Sequence, residues 1–67
     1  MQSVRERIMQ LLINKDLTET EFARKIGVRT STVSMWLSGD RNPNIYMVVR
    51  ICKAFHVSAD WLLGLEE

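Results

Sequence analysis

Apolar residues recur along this chain with a helical period, and each periodic stretch is bounded by capping or breaking residues. Val4, Ile8, Leu11 and Leu12 follow i, i+4, i+7, i+8 spacing, which predicts a first helix over residues 3 to 15 with Ser3 as its cap. Met9 and Ile13 form a second, thinner apolar line on it, either tolerated at the surface or part of a partner interface. Thr18 followed by Glu21 is a Thr-x-x-Glu capping box, and Leu17 with Phe22 makes the accompanying hydrophobic staple. The second helix therefore starts at Thr18, points Phe22, Ala23 and Ile26 inward, and stops at Gly27, where a left-handed backbone costs little.

A third helix begins at Thr30 or one residue earlier. Val33, Trp36 and Leu37 share one face, and Gly39 stops it before the turn Asp40-Arg41-Asn42-Pro43. Asn44 caps a fourth helix in which Ile45, Val48, Val49, Ile51, Cys52 and Phe55 are all apolar. This reads as the central core helix, with most of its circumference buried or partnered. His56 stands where a terminating glycine is usual, and Ser58 caps a short last helix carrying Trp61, Leu62 and Leu63. No segment alternates like a strand, and connections of a few residues join neighbouring helices. The expected fold is all-α and five-helical, in a single domain spanning 1–67.

Sixty-seven residues bury only a marginal core, so good packing or oligomerisation must support it. Cys52 is the lone cysteine, which excludes an intramolecular disulfide and reads as a small buried hydrophobe in a reducing cytosol. No run approaches a membrane span or a secretion signal, so a cytoplasmic location is expected. With one His, one Cys and no glycine-rich phosphate loop, nothing calls for a metal, a cofactor or catalysis; His56 reads as a helix-end residue. The net charge is +1, but Asp60, Glu66 and Glu67 lie in the last ten residues with no base. The remainder carries nine basic against five acidic side chains. That balance permits phosphate contact without demanding it.

The most informative stretch is residues 17 to 43, two short helices joined at Gly27. The second of them is nearly uncharged and carries small polar side chains opposite Val33 and Trp36. Several segments together resemble the Cro/C1-type (XRE) helix-turn-helix domain of phage-like repressors. They are Leu17-Thr18-x-x-Glu21-Phe22-Ala23, Lys25-Ile26-Gly27-Val28, Ser31-Thr32-Val33-Ser34-x-Trp36-x-Ser38-Gly39, Arg41-Asn42-Pro43 and Val57-Ser58-x-Asp60-Trp61-Leu62-Leu63.

The resemblance implies a lambda-repressor-like five-helix domain, with helices 2 and 3 as the helix-turn-helix. It also implies a sequence-specific regulator, a repressor sooner than an activator, that binds a palindromic double-stranded operator as a homodimer. Base-reading positions fall on Thr30, Ser31 and Met35, with Arg29 and Ser34 beside them. Phosphate positions fall on Glu19, Thr20, Ser38, Arg41 and Asn42, and the dimer surface on Val57, Ser58, Ala59, Trp61 and Leu62. Trp61 reads equally as core, and Tyr46 and Met47 are candidates for a second contact.

Three departures from the family pattern stand out. Glu19 replaces a usual Gln, and Asp40 a frequent Lys; both place acid where phosphate is expected. Leu12 and Leu37 replace an Arg–Glu ion pair, a joint change that is often neutral or stabilising when the pair is buried, and the two leucines are expected to touch. The alternative reading follows from the acids and the exposed Met9, Ile13, Tyr46 and Met47. It is a helix-turn-helix turned protein-binding module, with an antitoxin-like or anti-repressor partner. Many relatives also carry a further C-terminal domain.

Overall fold

In the computed structural model, which describes residues 3–66, five helices follow one another. They are α1 (Val4–Asn14), α2 (Glu19–Ile26), α3 (Thr30–Ser38), α4 (Ile45–Phe55) and α5 (Ala59–Leu62). Among the described residues there is no strand, and no helix is long and apolar enough to cross a membrane.

Each boundary has a local cause. Ser3 and Thr18 both form complete capping boxes, in which the hydroxyl accepts from the third helical N–H while Glu6 or Glu21 accepts from the cap's own N–H. Asn44 accepts from Met47 N–H and Ser58 from Trp61 N–H. At the other ends, α1, α2, α4 and α5 each stop on a residue in the left-handed region: Asp16, Gly27, His56 and Gly64. The following N–H then reaches back to the last turn, as in Leu17→Leu12, Val28→Ala23, Val57→Cys52 and Leu65→Asp60, the pattern of a Schellman motif. His56, at φ 56, thus holds the conformation a glycine would hold more cheaply. Asp16 plays the same part after α1, a stop the apolar period does not reveal.

The core is Ile8, Leu11, Phe22, Ala23, Ile26, Val33, Trp36, Val48, Ile51, Phe55 and Leu62. Phe22 and Phe55 stack with centroids 4.9 Å apart and planes 12° from parallel, joining α2 to α4. Helix α3 packs on α2 and α1, while α5 packs on α4 and α1. The helix-turn-helix thus occupies one side of a body with principal extents of 27 × 24 × 22 Å.

Of the two alternatives for α4, buried or partnered, the structure limits burial to one face. Only Val48, Ile51 and Phe55 are buried, whereas Ile45 is 72% exposed, Tyr46 75% and Val49 46%. Helices α2 and α5 pack on α4, and the side carrying Ile45, Tyr46 and Val49 is left open. Met47, expected to be exposed, instead packs partly buried against the core.

Arg7 is the feature that periodicity misses. Its side chain is 6% exposed, and its guanidinium lies 4.7 Å from the centre of the Trp61 ring. Nη2 donates to Glu66 O at 2.6 Å and Nη1 to Gln10 Oε1 at 3.4 Å. A charged residue sits inside because its cation lies over an aromatic ring and its two terminal nitrogens find acceptors, while the buried Nε finds none among the described residues.

Candidate nucleic-acid interface

The α2–α3 unit is built from the inside outward. Phe22, Ala23 and Ile26 hold α2, and Val33 and Trp36 hold α3. Between them Gly27 turns at φ 76 and φ-restricted residues would be strained there. Arg50 Nη1 also donates to Ile26 O at 3.5 Å, so the end of α2 is covered by a cation from α4.

With Val33 and Trp36 pointing in, helical spacing turns Ser31, Ser34, Met35 and Ser38 away from the core. Ser31, Ser34 and Arg29 are exposed, while Thr30 and Met35 are half-buried. Arg29 occupies the cap position of α3 without a capping side-chain bond. Thr30 is the first residue of α3. The five expected base-reading residues therefore lie on the first two turns of one helix and the residue before it.

Two side-chain bonds cross from this helix to the start of α2. Ser34 Oγ donates to Glu19 Oε1 at 2.5 Å, and Thr30 Oγ1 lies 3.3 Å from Thr20 Oγ1. The expected phosphate residues Glu19 and Thr20 are both exposed, but each is engaged with α3. Glu19 thus turns its carboxylate onto the neighbouring helix.

At the far end, Ser38 donates to Met35 O at 3.1 Å and accepts from Asp40 N–H at 3.4 Å, so its one hydroxyl proton serves the helix terminus. Arg41 and Asn42 are exposed in the following turn. Arg5 carries no local signal of its role: its Nε donates to Leu37 O at 2.6 Å across 32 residues. It brings a cation to the carbonyl end of α3.

The residues expected at a dimer surface divide. Ser58 and Ala59 are exposed and Val57 half-buried, with Leu63 and Leu65 exposed nearby. Trp61 is half-buried, with Arg7 over its ring. Leu62 is corrected: at 0% exposure its side chain is fully used in its own core, leaving nothing for a second copy to touch. Leu12 and Leu37 both pack against the core and line one shallow cleft with Met9, Ile13 and Glu19. Cys52 is half-buried, and burial pushes its thiol pKa up, away from the reactive thiolate.

Two short packed helices joined at a left-handed glycine, with a polar second helix facing out, define a helix-turn-helix domain. A family model described as Helix-turn-helix matches residues 8–62, and the chain belongs to that family, in its Cro/C1-type branch. An HTH-type transcriptional regulator of Haemophilus influenzae is 40% identical over 57 residues, covering 85% of this chain and 23% of its own length. The HTH-type transcriptional activator BcrR of Enterococcus faecalis is 37% identical over 62 residues, 92% of this chain and 30% of its own. The chain thus spans less than a third of either of these curated relatives.

Among solved structures, a transcriptional regulator from Listeria innocua superposes with a TM-score of 0.86 at 29% identity, over 97% of this chain and 61% of that one. The P22 c2 repressor, crystallised with the synthetic operator 9T, superposes with a TM-score of 0.87 at 24% identity. The match covers 98% of this chain and all of that one, a likeness of fold.

Proposed function

We propose that this chain is the DNA-reading domain of a transcriptional regulator of the phage-repressor type. It binds a palindromic operator as a dimer, with α3 in the major groove. The observation that carries the reading is α3 itself, buried through Val33 and Trp36 and presenting Ser31, Ser34 and Met35 outward on a helix anchored by α2. The major groove admits such a helix, and small hydroxyls and a flexible thioether fit its base edges and thymine methyls.

Arg29, Arg41 and Arg5 supply cations at the two ends of α3. One such domain makes few phosphate contacts, so two copies on half-sites about one helical turn apart, roughly 34 Å, supply the affinity. Val57, Ser58 and Ala59 form the proposed dimer surface together with the exposed edge of Trp61. No reaction chemistry is part of this reading.

The test is titration of duplexes from the chain's own genomic neighbourhood over a range of salt. A specific complex shows log K falling linearly with log salt, by about 0.9 for each phosphate neutralised. Absence of binding to every such duplex at low salt would end the proposal.

A protein partner is the second reading, favoured by one observation: Ile45, Tyr46 and Val49 are exposed together on α4. Complex formation that persists at high salt, without DNA, distinguishes it.

A further inference from the structure

The two hydroxyls that cross from α3 to α2 differ in what they leave free. Thr30 meets the hydroxyl of Thr20. A bond between hydroxyls runs in either direction, so Thr30 retains both donor and acceptor capacity. Ser34 meets the Glu19 carboxylate at 2.5 Å. An ionised carboxylate only accepts, so Ser34 must be the donor, at the separation of a charge-assisted O–H···O⁻ bond. A serine hydroxyl has one proton and two lone pairs. With that proton committed to Glu19, exposed Ser34 offers only lone pairs outward, and the second Glu19 oxygen likewise only accepts.

We infer that Glu19 and Ser34 form one acceptor-only reading unit. Glu19 fixes the polarity of the Ser34 hydroxyl, and the pair selects the exocyclic amino group of cytosine or adenine on the strand it faces. The inference rests on the DNA-reading function proposed above. Cytosine N4 and adenine N6 are the amino donors of the major groove, whereas guanine shows N7 and O6 and thymine O4, all acceptors. Acceptor facing acceptor is repulsive, so guanine and thymine are excluded there. Glu19 is accordingly a positioning and specificity residue instead of a phosphate contact. An acid is tolerated at the start of α2 because its carboxylate is turned onto α3 and hydrogen-bonded there. A hydroxyl alone discriminates weakly among bases; a hydroxyl of fixed polarity does not.

The experiment is selection of binding sites from randomised duplex DNA by the wild-type chain, Glu19→Gln, Ser34→Ala and the double variant. Melting curves run alongside confirm that each is folded. The wild type is expected to favour one base pair at one position on the order of tenfold, and to lose that preference when the amino group of that pair alone is deleted, with purine replacing adenine or 2-pyrimidinone replacing cytosine. Glu19→Gln introduces an amide that donates as well as accepts, releasing the Ser34 proton. Preference at that position alone then collapses while the other positions keep theirs. Ser34→Ala relaxes the same position, and the double variant adds nothing further, the non-additivity of a coupled pair.

Every base pair carries one such amino group, so wild-type binding left unchanged when the amino group of the selected pair is deleted, with purine replacing adenine or 2-pyrimidinone replacing cytosine, overturns the inference. So does an unchanged Glu19→Gln profile, or a Glu19→Gln effect that weakens every sequence equally. Those outcomes leave DNA reading intact. Selection of no sequence by the folded wild type overturns the function and the inference together.

Discussion

The Arg7 guanidinium lies over the Trp61 ring, 4.7 Å from its centre, and from there donates to the carbonyl oxygen of Glu66. This cation ties α1 to α5 and to the segment after it. Its removal takes away the stacking and a charge-assisted bond and leaves a cavity. Arg7→Ala is expected to destabilise the fold by about 2–4 kcal/mol. Arg7→Lys should recover little, because an ammonium cannot stack and fork at once. Urea denaturation of the variants checks both.

His56 gives the opposite expectation. It is held at φ 56 after α4, where a side chain is penalised. His56→Gly should relieve about 1 kcal/mol of that strain, partly offset by the greater freedom of glycine in the unfolded chain. A rise in Tm of a few degrees is expected for about 1 kcal/mol in a domain of this size. Gly27→Ala, at φ 76, should shift Tm the other way.

Leu12 and Leu37 line one cleft between α1 and α3. Leu12→Arg alone, or Leu37→Glu alone, places a charge against the partly buried wall with no counter-ion and is expected to cost about 3 kcal/mol. The double variant should recover much of this loss. A double-mutant cycle showing strictly additive losses would refute the pairing.

Acid sensitivity should follow the capping boxes. The backbone N–H of Ser3 holds the Glu6 carboxyl below its usual range, helped by the Ser3 hydroxyl, and Thr18 does the same for Glu21. Because the folded values are depressed, this contribution is complete above the ordinary carboxylate pKa, near 4.5. It fades as pH falls through the lower folded values. Tm measured from pH 6 down to pH 2 should fall in that window, with a smaller fall for Glu21→Gln.

On operator DNA, Ser31→Ala or Met35→Ala should relax preference at one base pair by about 1–3 kcal/mol, and Arg41→Ala should weaken all sequences alike. Competition binding with single-base variants separates the two patterns.

The scaffold was largely legible because its signals are local. Thr18 and Glu21, Gly27, and Val33 with Trp36 each state their role within four residues, and the helices lie where those signals put them. What was not legible depends on distant partners. Arg7 looks like any solvent-facing arginine until Trp61 and Glu66 are brought to it. Arg5 reaches α3 from 32 residues away. Leu62 and Trp61 are adjacent apolar residues in the same short helix, and only packing separates the one consumed in the core from the one left half-exposed. The apolar run of α4 left its two alternatives open for a related reason: residues such as Ile45 and Val49 carry no mark of whether a neighbour will arrive to cover them.

Helix α3 is anchored by Val33 and Trp36 on one side and leaves Ser31 exposed and Met35 half-buried on the other. Exchanges at Ser31 or Met35 should therefore pass with little change in folding free energy. Such a protein can drift from one target sequence to another by single substitutions, each intermediate remaining folded. The division of labour within nine residues of helix leaves recognition open to evolution while the architecture stays fixed.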